Sequence, residues 1–200
     1  MAYLPAEERK QSIINAAKRV IVRDGFGKLT IRSVVEEASV SMGLVHHYFK
    51  STSELKREAL CQYNQKFCAE YELDRHRFSP LENIKRLFAD LIHDDKALYH
   101  KLWLEVWLEA QTDPLIGEAF HEISQYFHDA IVYEIRRGME AGITEETTEE
   151  AMSHCAWRLI SLSLGMGTLS NHHINQLSVS DARKQMKWEI EKTLGVNSAR

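Results

Sequence analysis

Thr30–Phe49, TIRSVVEEASVSMGLVHHYF, is the stretch on which the fold turns. In its first half Ile31, Val34, Val35 and Ala38 recur at helical spacing on one face. Thr30 stands where a side-chain oxygen caps a first turn. Ser39-Val40-Ser41 then makes a tight turn, and Ser41 is a second N-cap for a short helix ending at Phe49. Two short helices joined by such a turn place the second across the surface of the first. Val34, Val35, Ala38, Val40, Val45 and Phe49 supply the inward face that fixes the crossing. Ser41, Met42, Leu44, His46, His47 and Tyr48 are left nearer the outside, beside a slim Gly43. A helix presenting that surface fits a DNA major groove about 12 Å wide. Thr30, Arg32 and Lys50 are placed to hold phosphates around it, which fixes register rather than sequence choice. The alternative is two plain core helices of a bundle. A metal site at His46-His47 is disfavoured, because adjacent helical residues do not face one point.

Outward from this stretch the pattern stays helical. Pro5 opens a helix in which Ile13, Ile14, Ala17, Val20 and Ile21 follow at helical intervals up to Gly25. Phe26–Leu29 is a connection. Ser53 with Glu54 opens a long amphipathic helix to about Arg77, continuous with both parts of the chain. After Ser79-Pro80, segments are expected at 81–94, 96–111, 114–141, 146–172 and 180–194, punctuated by Pro114, Gly142 and the polar run 171–175. Only three prolines interrupt 200 residues, which favours long helices over sheet. The expected fold is all-α with about nine helices. Residues 1–52 would form a three-helix unit and 53–200 a larger bundle.

The charge is uneven. Residues 1–60 hold ten Lys/Arg against seven Asp/Glu, and 61–200 hold fifteen against twenty-two. A mildly basic end on an acidic body suits a protein that touches phosphate at one end. Cys61, Cys68 and Cys155 form no CxxC pair and read as reduced thiols. The N-terminus carries charge and lacks the apolar core of a secretory signal. The longest apolar run, Leu159–Leu169, is short of the ~20 residues that span a bilayer. A soluble, cytoplasmic protein with no membrane partner is expected.

The block Ala38, Val40, Ser41, Gly43, Tyr48, Phe49 resembles the signature of the TetR family, A-x-V-S-x-G-x-x-x-x-Y-F after a Thr-initiated helix. Asp24-Gly25-Phe26 upstream and Ser53-Glu54-Leu55 downstream match it in type and spacing. The resemblance implies a dimeric helix-turn-helix regulator of a pseudo-palindromic operator in double-stranded DNA, usually a ligand-responsive repressor. It implies DNA contacts at Thr30, Ser41, Leu44, His46, His47 and Tyr48. Two departures stand out: Ser39 sits where the family usually has Gly in the turn, and Thr52 where it commonly has Lys. Residues 81–194 resemble the C-terminal domain of the BetI-type members, through Trp103-Leu104-Glu105-Val106-Trp107, Asp113-Pro114-Leu115 and Arg136–Gly142.

Tyr99, Trp103 and Trp107 form an aromatic stripe at four-residue steps, with Tyr126, Phe127 and Trp157 on later helices. Such a stripe serves either as plain core or as a pocket in which indole faces and Glu105 or Glu109 receive a small-molecule cation. Trp157, Ile160, Leu164 and Leu169, with Ser161, Ser163, Gly165 and Gly167 between them, suit close helix pairing in a homodimer. The competing reading is a helical-bundle metalloenzyme. Glu118-Ala119-Phe120-His121 fits the Glu-x-x-His ligand motif once, and Asp90-Leu91-Ile92-His93 only approximates it. No nucleophile elbow or phosphate-binding Gly loop is present, so no catalytic residue and no cofactor are expected.

Overall fold

The computed structural model describes residues 5–89, 97–170 and 177–195, the side chains of 97–100 excepted. Nine α-helices and two single 3-10 turns make up the described residues, with no strand among them. Helix α1 (Ala6–Asp24) starts after Pro5, whose φ of −53° suits the entry to a helix. Glu7 and Glu8 in its first turn and Arg23 in its last complement the helix dipole. Its buried stripe is Ile13, Ile14, Ala16, Ala17, Val20 and Ile21. The helix stops at Gly25, where φ is +100° and a Cβ would stand 2.9 Å from Glu105 Oε2. The backbone there favours glycine, and a side chain would also displace the Glu105 carboxylate.

A 3-10 turn, Phe26–Lys28, buries Phe26 and leads to α2 (Ile31–Ala38) and α3 (Met42–Tyr48). Helix α4 runs unbroken from Thr52 to Asp74. Its cap is Ser51 rather than the expected Ser53: Ser51 Oγ accepts from Glu54 N at 3.1 Å, and Glu54 accepts from Lys50 N at 2.6 Å. Capping needs the oxygen three residues before the N–H it satisfies. Ser53 already lies inside the first turn, and its hydroxyl goes to Asp113. After a 3-10 turn at Arg75–Arg77 come α5 (Pro80–Ala89), α6 (Ala97–Ala110), α7 (Pro114–Glu140), α8 (Glu149–Ser170) and α9 (Val179–Thr193). Asp113 Oδ1 accepts from Leu115 N at 3.0 Å at the start of α7, and Ser178 caps α9.

Described residues of Met1–Cys68 and Lys101–Ile123 cluster into one compact unit, and those of Ala69–His100 and Ser124–Arg200 into a second. In the first, Ile13, Ile14, Phe26, Leu29, Leu55 and Leu60 are fully buried. Each contributes about 1.5–3 kcal/mol relative to exposure. Lys56, 6% exposed, places its ammonium 2.7 Å from both oxygens of Glu109 and over the Phe26 ring. Glu105 Oε2 accepts from Gly27 N at 3.0 Å. These two carboxylates of α6 pin the loop after α1 and the first turns of α4.

The second unit is organised around Glu134, which has no solvent exposure. Tyr71 donates to it at 2.6 Å, Asn83 at 3.0 Å and Arg137 at 2.6 Å. A buried carboxylate is tolerated only when its lone pairs are met, and here three helices supply the donors. Burial, then the bond to Glu134, hold the Tyr71 phenol far above its usual range. Helices α8 and α9 pack together, burying Met152, Ala156, Leu159, Ala182, Met186 and Ile190.

Candidate nucleic-acid interface

The turn between α2 and α3 is built from three polar residues. Thr30 Oγ1 accepts from Ser33 N at 3.1 Å, and Ser33 Oγ accepts from Thr30 N at 3.0 Å, so the two close a reciprocal cap. Ser39 then adopts the left-handed conformation at φ 53°, ψ 44°. Here the chain tolerates a positive φ where a glycine would adopt it at lower cost. Ser41 Oγ accepts from Leu44 N at 3.2 Å and starts α3. Val34, Val45 and Phe49 are buried and set how α3 lies on α2.

Across the top of α2 a second device holds the unit together. Glu37 accepts from Arg19 at 2.7 Å and from Arg23 at 2.5 Å, both on α1. Hydrogen bonds from these guanidinium groups hold the Glu37 carboxyl below its ordinary range. Sequence reasoning missed this brace because its partners are 14 and 18 residues apart and no short motif marks them.

With Val45 facing inward, the rotation of ~100° per residue puts Gly43 and His47 at the centre of the outward face. His46 and Met42 lie on one flank, Leu44 and Tyr48 on the other. Ser41, Met42, His46 and His47 are exposed, while Leu44 and Tyr48 are half-buried. The His47 ring meets Tyr48 edge-on at 5.0 Å. A Cβ built on Gly43 finds nothing within 4 Å. Thr30, Arg32 and Lys50 are exposed around this surface. Among the described residues Arg32 pairs with exposed Glu36, at 3.1 Å, a contact weak enough to exchange for a phosphate.

The residues expected to form an effector pocket fall into two groups. Trp103, Glu105, Trp107 and Glu109 belong to the first unit. Trp103 is buried against Phe120, with ring centres 6.4 Å apart, whereas Trp107 is 51% exposed. Glu109 is engaged by Lys56, and Glu105 by Gly27 N and Lys101. Tyr126 and Trp157 belong to the second unit. Tyr126 donates to Glu72 at 3.4 Å, and Trp157 stacks on His128 at 4.8 Å. His128 in turn bonds Ser153 and Asp129. The Tyr99 side chain lies outside the description.

Glu118 and His121 are both exposed on α7, and Asp90 and His93 lie outside the described residues. Among the described residues, no three His, Cys, Asp or Glu side chains converge as a metal-binding group. No described helix is long and apolar enough to cross a membrane. Burial pushes the Cys61 and Cys155 thiols up, which makes them poor nucleophiles.

Residues 13–59 match the family of bacterial regulatory proteins called tetR, and residues 80–195 match the BetI-type transcriptional repressor C-terminal family. The chain belongs to the TetR family, with a C-terminal part of the BetI type. It is 29% identical over 108 residues to the HTH-type nicotine-responsive transcriptional repressor HdnoR of Paenarthrobacter nicotinovorans, covering 54% of this chain and 48% of that one. It is 30% identical over 106 residues to the HTH-type transcriptional regulator LuxR of Vibrio harveyi, covering 51% and 49%. The chain thus spans about half the length of these curated relatives. Among solved structures it is similar to a protein from Saccharomonospora viridis in complex with choline. That likeness has a TM-score of 0.79, 23% identity, and coverage of 92% of this chain and 96% of the other. At such identity the likeness shows the fold.

Proposed function

We propose that this protein is a transcriptional repressor that binds duplex DNA as a homodimer through α2 and α3 and leaves it when a small organic cation binds. The observation that carries the reading is the outward face of α3. A capped seven-residue helix presents exposed Met, His and Ser side chains around an open Gly43, on a support locked by buried Val34, Val45 and Phe49. A helix of this kind reads base edges in the major groove, while Thr30, Arg32 and Lys50 hold phosphates.

Two heads on one duplex need a dimer, because half-sites recur about 34–36 Å apart. Trp157, Leu169 and Trp188 expose large apolar surface on α8 and α9 and support pairing there. Residues 1–52 act as the reading head and 53–200 as the effector and dimerisation part, in the cytoplasm. Choline in the S. viridis complex and the nicotine response of HdnoR support a cationic effector. Tyr99, Trp103, Trp107, Tyr126 and Trp157 are the aromatic candidates. Trp107, about half exposed, is the indole best placed to meet a ligand. Release is a population shift, and it requires different effector affinity in the DNA-bound and free conformations.

Gel-shift titration of a selected operator tests the head. His46→Ala and Tyr48→Ala are expected to abolish the shift and keep helical circular dichroism, and unchanged shifts overturn the reading. Sedimentation as a monomer at micromolar concentration contradicts the dimer. For the effector, tryptophan fluorescence is titrated with choline and with tetramethylammonium. Saturable quenching reduced in Trp107→Ala is expected, and flat titrations overturn the cation.

A further inference from the structure

We infer that α3 reads its half-site in part through thymine methyl groups, with Met42 and Leu44 as the side chains that make those contacts. The inference rests on the DNA-binding reading above and deepens it.

Helix α3 lacks the side chains that grip bases bidentately. Met42–Tyr48 is MGLVHHY and contains no Arg, Lys, Asn or Gln. Arg and Lys are the side chains that grip guanine through O6 and N7, and Asn and Gln those that pair bidentately with adenine. His46 and His47 offer single hydrogen bonds from one ring nitrogen at a time. Asp and Glu, which accept from cytosine N4, are absent as well, and the major-groove feature left to the apolar residues of α3 is the 5-methyl group of thymine.

Apolar groups stand where that contact is made. The N-terminal residues of a recognition helix approach the base edges, and Met42 and Leu44 are the first and third residues of α3. Met42 is 49% exposed although its neighbour Val45 is fully buried. A thioether held in water in the free protein regains that hydration cost when it covers a methyl group. Gly43, between the two flanks they occupy, has open space beyond its Cα, so no side chain at that point of the face holds the helix off the groove floor. Arg32 and Lys50 lie outside α3, at the start of α2 and beyond the Phe49 C-cap, where they hold phosphates.

The experiment selects an operator from random duplexes with the full chain and then replaces each thymine by deoxyuridine, which removes only the methyl group. Binding is measured for wild type, Met42→Ala and Leu44→Ala, with helical circular dichroism as the folding check. At one or more positions uracil is expected to weaken wild type roughly fourfold, the effect of one methyl-sized group returned to water. The same swap should leave Met42→Ala or Leu44→Ala unchanged, while that variant alone loses about as much on the thymine operator. An operator whose affinity ignores every uracil swap overturns the inference and leaves the DNA-binding reading standing. Failure to enrich any sequence overturns both.

Discussion

Replacing Gly43 by alanine separates stability from DNA binding, because the two requirements on that position oppose each other. Gly43 is the second residue of α3, and its backbone is helical rather than left-handed. Glycine inside a helix costs roughly 0.5–1 kcal/mol relative to alanine through the backbone freedom it surrenders. An added methyl meets no atom of the protein within 4 Å, so no clash offsets that gain. The Gly43→Ala variant is therefore expected to be more stable by about 0.5–1 kcal/mol, or roughly 1–4 °C in melting temperature for a chain of this size. The same methyl points from the centre of the face proposed to enter the groove. Lifting the helix by a fraction of an ångström lengthens several base contacts at once, and operator affinity should fall at least about tenfold, which is 1.4 kcal/mol. Thermal melts and fluorescence anisotropy on one preparation measure both. A variant that is stabilised and binds the operator as wild type does would refute the placement of α3 in the groove.

Glu109→Ala leaves the buried Lys56 ammonium without its partner and is expected to cost about 3–5 kcal/mol in urea unfolding. A loss under 1 kcal/mol would mean that Lys56 swings out to water. Ser39→Gly relieves the left-handed serine, against which stands the extra freedom of glycine in the unfolded chain. A net gain of up to about 1 kcal/mol is expected with operator binding unchanged. Tyr71 carries a pH dependence of definite sign. Its folded pKa is raised, so the stability it contributes is complete below the ordinary phenol value and lost as pH rises past about 10. Tyr71→Phe should flatten that alkaline decline in urea midpoints and cost about 1.5–3 kcal/mol at neutral pH, where Glu134 loses a donor. An unaltered alkaline slope would place the titration elsewhere.

How much of this was legible depends on the range of the interaction. Caps and turns are local, so Thr30, Ser41 and the Ser39 turn could be read from residue types three or four positions apart. Apolar periodicity likewise marked the inward Val34, Val45 and Phe49. The cap of α4 was misplaced by two residues, because Ser51 and Ser53 both precede an acidic residue and only the bonding geometry chooses between them. The Glu37 brace, the Lys56–Glu109 pair and the buried Glu134 were invisible, since each joins residues separated by a loop or a whole helix. The same holds for the aromatic stripe. Four-residue spacing aligned Trp103 with Trp107, yet one is buried and the other half exposed, because burial depends on which neighbours arrive. Glu105 and Glu109 read as cation receivers on charge alone, whereas Gly27 N, Lys101 and Lys56 already engage them. The family was the more accessible part, because the residues that carry its signature, Ala38 to Phe49, fall within one short stretch of sequence.

Reading of duplex DNA by α3 is tested most directly by parallel selection from random duplexes with wild type and with a His46→Ala/His47→Ala variant of equal helicity. Wild type should enrich one inverted repeat whose half-sites lie about one helical turn apart, and the variant should enrich nothing. Equal enrichment by both chains, or none by wild type, would contradict the account.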